Sequence, residues 1–135
     1  MAVNVSDVQF KALRWIEGAW HSKDGRGVRF FERYRFLNDS TIRSYSYADS
    51  TMRSPNDSGV ILRRGGRVTS DNGNYVVTSI VIGRVHFEPA ANALNSFTWT
   101  RDDADQWTAL LERPAAAGKP AWSATYVMRR MPGVR

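Results

Sequence analysis

Apolar and polar positions alternate with a period of two along most of this chain, and recur at a spacing of three once, near its start. Ser6-Asp7-Val8-Gln9 has the form of a capping box, a hydroxyl at the N-cap and Gln three positions on, with Asp7 favourable at the positive end of the helix dipole. Phe10, Leu13 and Ile16 follow at that spacing of three, and Gly18 ends the run. The pattern predicts one amphipathic helix of about three turns, too short to be stable alone and so bound to lie on something.

The remainder predicts strands. From Gly27 to Phe36, the residues Val28, Phe30, Glu32, Tyr34 and Phe36 fall on one face, and Arg29, Phe31, Arg33 and Arg35 on the other. Asn38-Asp39-Ser40 turns the chain, Thr41 to Ala48 is rich in Tyr, Thr and Ile, and Ser54 to Gly59 breaks it. Further strands are predicted at Val60-Ile61-Leu62, near Val68, and over Asn74 to Val81, Gly83 to Phe87, Phe97 to Arg101, Trp107 to Glu112 and Trp122 to Met131. Arg64-Gly65-Gly66, Asp71-Asn72-Gly73-Asn74, Asp102 to Asp105 and Arg113 to Pro120 separate them with good turn chemistry. The expectation is all-β: an antiparallel up-and-down β-barrel of about eight to ten strands with one short N-terminal helix. It forms a single domain over residues 1–135. No helix separates the strands, which argues against a parallel sheet.

Composition narrows the chemistry. With no Cys there are no disulfides, no thiolate catalysis and no Cys-ligated metal, and two histidines are too few for a multi-His metal site. No run of about 18 apolar residues occurs, so no membrane span is expected. The first residues, Met1-Ala2-Val3-Asn4-Val5, do not read as a secretory signal, which points to the cytoplasm. The formal charge is +6. Most of the basic residues are Arg, which favours planar recognition of carboxylate or phosphate. A solvated basic surface explains the same charge, and the Arg residues are scattered with no polybasic arm, so nucleic acid is not an expected partner.

Leu13-Arg14-Trp15-Ile16-Glu17-Gly18-Ala19-Trp20 is the most specific segment. A helix, a Gly-x-Trp opening the first strand, and eight or more antiparallel strands resemble the calycin superfamily, which includes lipocalins, fatty-acid-binding proteins and nitrobindin-like barrels. The segment is most similar to small uncharacterised bacterial lipocalin-like proteins that open with Leu-x-Trp-Leu-x-Gly-x-Trp. Gly18 lets the backbone turn tightly from helix to strand, and the Trp20 indole would plug the closed end beneath the helix. The resemblance implies an Arg of the last strand lying over that indole. Arg129 and Arg130 are both candidates, and Arg130 is favoured because Trp122, Ala124, Tyr126 and Met128 share its face. The bacterial group carries Phe-Glu-Asn-Pro-x-His-Asp-Phe-Pro about two-thirds along. Here His86 to Leu94 stands in that place, with Pro89 matching and the His and second Pro absent. Haem binding by nitrobindin-like barrels uses a His near the C-terminus, which this chain lacks, so no cofactor is expected.

The candidate ligand site is a lumen containing Glu32, Tyr34, Arg43, Tyr45 and His86. Glu32 lies among Phe30, Tyr34 and Phe36 on the face expected to point inward, where apolar rings would raise its pKa and suit it to acid–base work. Pairing with Arg43 on the next strand is the alternative. Tyr45 and Tyr47 share a face with Thr41 and Arg43, and either line a cavity or are ordinary half-buried strand residues. His86 is a lumen acid–base residue or a hydrogen-bonded barrel residue, and His21, next to Trp20, belongs on the opposite face or the rim. Asp102, Asp103 and Asp105 lack the Gly and terminal Glu of a calcium loop, and no phosphate loop, dinucleotide fingerprint or Gly-x-Ser-x-Gly occurs.

Three functions fit. The leading one is binding of a small, partly apolar, anionic or neutral molecule in the barrel by a monomer or homodimer. An isomerase, cyclase or hydrolase using lumen acid–base residues is next. A single-strand nucleic-acid binder would need Phe31, Trp99 and Trp107 exposed as stacking surfaces.

Overall fold

The structure is a computed structural model that describes residues 2–90 and 93–133; Ala91 and Asn92, within the segment compared with the bacterial group, lie outside the described residues. Ten strands run β1 (Gly18–Lys23), β2 (Arg29–Asn38), β3 (Thr41–Tyr47), β4 (Asp57–Arg64), β5 (Arg67–Ser70), β6 (Tyr75–Val81), β7 (Arg84–Pro89), β8 (Ser96–Asp103), β9 (Gln106–Arg113) and β10 (Trp122–Arg130). Each pairs antiparallel with its sequence neighbour, and β1 pairs with β10, so the sheet closes into an up-and-down barrel. Closure leaves no sheet edge. No helix among the described residues is long and apolar enough to cross a membrane.

The helix is capped as the sequence predicts but is shorter. Ser6 Oγ accepts from the Gln9 N–H at 3.1 Å and Gln9 Oε1 accepts from the Ser6 N–H at 2.9 Å. The α-helix, α1, spans Asp7–Lys11, and a 3-10 helix follows over Ala12–Ile16. A strict spacing of three is the period of the tighter helix, whose i and i+3 side chains line up. Phe10, Leu13 and Ile16 thus form one buried row on the barrel's end.

That end is the foot. Trp20 is 1% exposed; its Nε1–H donates to the Ile16 carbonyl at 2.7 Å, and the Arg130 guanidinium lies 4.2 Å over its ring. Arg130 also donates to the carbonyls of Ala104 and Glu17 and pairs with Asp105. Arg129 instead donates to Gln106. Gly18 adopts φ +127, a conformation that favours glycine, and a Cβ there would stand 2.4 Å from Arg130 Nη1, so the guanidinium would have to move.

Alternation divides each strand into an inner and an outer face. Phe30, Glu32, Tyr34 and Phe36 of β2 point inward, opposite Ser46, Ser44 and Ile42 of β3. Val28, predicted on that face, precedes the strand and is exposed. The outer face carries an apolar cluster of its own, in which Ala19, Phe31 and Tyr47 are covered by Met52 and Met131.

Candidate functional site

Above the foot the barrel encloses a cavity of about 360 Å³. Its walls are Phe30, Glu32 and Tyr34 of β2, Tyr75 of β6, Asn95 before β8, Phe97 and Trp99 of β8, Trp107, Ala109 and Leu111 of β9, and Tyr126 and Met128 of β10. These are inward positions at steps of two, so the walls are aromatic because the inner faces of β2, β8, β9 and β10 are. Tyr34 meets Trp99 and Trp107 edge-to-face at 5.7 and 5.9 Å, and Phe30 meets Tyr126 at 5.6 Å. Such rings present flat apolar surfaces of fixed orientation.

Polar groups in this cavity are few. Tyr34 Oη donates to Glu32 Oε1 at 2.8 Å. Burial pushes the Glu32 pKa above the ordinary carboxylate value, and the Tyr34 hydrogen bond opposes it more weakly. The Tyr34 phenol is pushed far up by burial and by the neighbouring carboxylate. Among the described residues, no Arg, Lys or His lines the cavity. The Trp107 Nε1–H is buried with no hydrogen-bond partner among the described residues. Nearer the mouth, Tyr75 Oη donates to Asn95 Oδ1 at 3.0 Å. The arrangement offers one carboxyl group that holds its proton unusually well, one free indole donor, and flat walls.

Of the five residues expected in the lumen, Glu32 and Tyr34 line the cavity together, and Arg43, Tyr45 and His86 do not. Arg43 stands opposite Arg35, and Tyr45 opposite Arg33, on the outer face of the β2–β3 pair. The pairing of Glu32 with Arg43 is thereby corrected: the two side chains project to opposite sides of the wall. The error came from taking the Tyr-rich face of β3 as inward, whereas Ile42, Ser44 and Ser46 face the lumen. The outer face is apolar here because Tyr47 packs under Met52 and Met131.

His86 is also outside. Its neighbours Val85 and Phe87 are fully buried and occupy the inner face. On the outside, His86 Nδ1 contacts Thr98 Oγ1 at 2.6 Å and Nε2 meets the Glu88 carboxylate. His21 is opposite Phe31 on the outer face, where partial burial and the cations Arg29, Arg129 and Lys23 lower its pKa. Phe31, Trp99 and Trp107 are 4%, 9% and 1% exposed, so none offers the stacking surface that a nucleic-acid reading required. Among the described residues, no three His, Cys, Asp or Glu side chains group closely enough to hold a metal ion.

The cavity residues that sequence reading missed are notably Phe97, Trp99, Trp107, Leu111 and Tyr126, and the rings among them did carry a signal. Phe97, Trp99, Trp107 and Tyr126 each sit between smaller or polar neighbours along the strand, and the large ring marks the inner position; Leu111, beside Leu110, carries no such mark.

The closed ten-strand antiparallel order, with a helix laid on its foot, is the up-and-down barrel that the strand and turn pattern predicts. No protein-family model matches the sequence, and no curated protein does. A solved structure described as "Structure of EF1p2_mFAP2b bound to DFHBI" is similar at 12% identity and a TM-score of 0.47, over 91% of this chain and 99% of that one.

Proposed function

We propose that this barrel binds a small ring-bearing molecule, neutral or cationic, in its lumen, with Glu32 as the polar anchor. The observation that carries this reading is an aromatic-walled cavity of about 360 Å³ whose one carboxyl group has a hydroxyl partner and no cation. Ligand pockets run to roughly 300–1,000 Å³ and combine apolar walls with a few polar groups that fix orientation. A cationic ligand would supply the counter-charge that Glu32 lacks, and a neutral one would exchange hydrogen bonds with the protonated acid and the Trp107 N–H. An anion, allowed while Arg43 was expected inside, would meet a carboxyl group and no positive charge. It is disfavoured.

A matched set of naphthalene probes tests this: 2-naphthylmethylamine, 2-naphthol and 2-naphthoate, followed by quenching of tryptophan emission. The amine and the naphthol bind, and the naphthoate binds at least about tenfold more weakly, a difference of about 1.4 kcal/mol. Ala109→Trp, which fills the cavity, abolishes binding of all three. Equal affinity for the three probes, or binding that survives Ala109→Trp, would remove the lumen from the account.

A second reading, acid–base catalysis in the same cavity, is favoured by the raised pKa of Glu32 beside the Tyr34 hydroxyl. An enzyme of this kind loses turnover in Glu32→Gln while still binding its substrate. A binding protein shows no turnover to lose.

A further inference from the structure

A second concavity lies outside the barrel, at the foot. It is about 720 Å³ and is lined by Arg14, Arg33, Arg35, Arg101 and Arg130, with Glu17 and Asp105 as its carboxylates and Trp15 on one wall. Both carboxylates are engaged. Glu17 Oε1 pairs with Arg14 at 3.2 Å while its Oε2 accepts from the Phe36 N–H at 2.8 Å, and Asp105 pairs with Arg130 at 3.1 Å. Asp102 and Asp103 on the neighbouring turn accept bonds from Gln106, Thr108 and the Asp105 N–H, and neither lines the groove. Arg35 and Arg101 are exposed and have no carboxylate partner among the described residues.

Two arginines in this groove therefore serve neither fold nor ion pair. Arg14 lies 4.6 Å over Phe36 and Arg130 covers Trp20, so those two contribute to packing. Arg35 faces Arg43 directly across the strand pair, a like-charge juxtaposition that destabilises a sheet. An anion relieves it.

We infer that the foot groove is a binding site for a small phosphorylated molecule, its phosphate held by Arg35 and Arg101 and any ring lying against Trp15. Guanidinium forks match phosphate oxygens two at a time, and a groove that several of them line suits a compact dianion. Nucleic-acid backbones prefer an extended basic track. The groove borders the lumen at Tyr34, which lines both, and carries the opposite preference in ligand charge.

The test is isothermal titration of the whole protein at low salt with inorganic pyrophosphate, adenosine 5′-monophosphate and a 16-nucleotide single-stranded DNA as probes. Pyrophosphate and the monophosphate bind, and the double variant Arg35→Ala/Arg101→Ala loses on the order of tenfold to a hundredfold in affinity, as two charge-assisted contacts imply. The control Arg26→Ala/Arg53→Ala removes the same charge from the opposite end and leaves affinity within about twofold. Melting no lower than that of the wild type in both variants shows the fold is intact, since all four side chains are exposed. Failure of both small phosphates to bind overturns the proposal. So does equal loss in the control pair, which would mean net charge alone. DNA that binds far tighter than the monophosphate would overturn it in favour of a nucleic-acid surface.

Discussion

Trp20 and Trp107 touch edge-to-face at 6.0 Å and are each 1% exposed, yet they belong to regions built on different terms. At the foot, the Trp20 N–H is bonded to Ile16, its ring is covered by Arg130, and Arg130 is itself held by Glu17, Ala104 and Asp105. In the lumen, among the described residues, the Trp107 N–H has no partner, and Glu32 has one hydroxyl and no cation. A buried donor left unmade costs about 1–3 kcal/mol, and an unpaired carboxyl resists ionisation. The foot uses its polar groups for stability. The lumen leaves its polar groups uncommitted, and under the proposed function a ligand engages them.

The contrast can be broken at four places. Trp20→Ala has the largest expected effect, a loss of about 3–5 kcal/mol, read by denaturant unfolding. A loss under about 1 kcal/mol would mean the foot does not depend on its plug. Gly18→Ala follows, at about 1–3 kcal/mol, because the new methyl displaces Arg130 and the backbone is strained at φ +127. Third, Trp20→Phe and Trp107→Phe remove the same atoms from two equally buried sites. The first strands the Ile16 carbonyl and the second strands nothing, so Trp20→Phe costs more by about 1–2 kcal/mol. Equal costs would erase the difference between the two regions.

Glu32→Gln has the smallest effect, and its sign is the useful part. Burial raises the folded-state pKa of Glu32, so the folded protein holds the proton more tightly than the unfolded chain. Stability from this source is complete below the ordinary value of 4.5, falls as pH rises through it, and levels off above the folded pKa. Gln keeps an acceptor for Tyr34 and removes the slope. The variant therefore melts with the wild type in acid and above it at neutral pH, by differential scanning calorimetry. Destabilisation at neutral pH would mean that the ionised carboxylate is a structural partner.

The barrel was legible because closure needs only strand count, turn chemistry and the absence of intervening helices, and each is written locally. The inner face of β2 was legible for a related reason: Phe30 and Phe36 bracket Glu32 and Tyr34 at even spacing. Face assignment failed on β3, where Ser44 and Ser46 point inward and tyrosines point out. Local strand pattern cannot report that Met52, beyond the end of β3, and Met131, remote in sequence, cover Tyr47. His86 is different. The alternation of Val85 and Phe87 with Arg84, His86 and Glu88 places it outside, a period readable in the sequence. The foot groove was hidden because its arginines come from a 3-10 helix and three strands, β2, β8 and β10, that only the closed barrel brings together.

The central claim is that Glu32 is a buried, cation-free anchor facing a ligand cavity, and one measurement addresses it directly. Carboxyl carbon NMR of selectively labelled protein follows the Glu32 titration with and without saturating 2-naphthylmethylamine, with Glu32→Gln assigning the signal. The account predicts a pKa above the ordinary carboxylate value in the free protein, and a fall when the amine binds, because an opposite charge then favours the ionised form. A Glu32 signal that titrates at the ordinary value and does not respond to the amine would contradict it, placing the carboxyl group in solvent and leaving the lumen without its anchor.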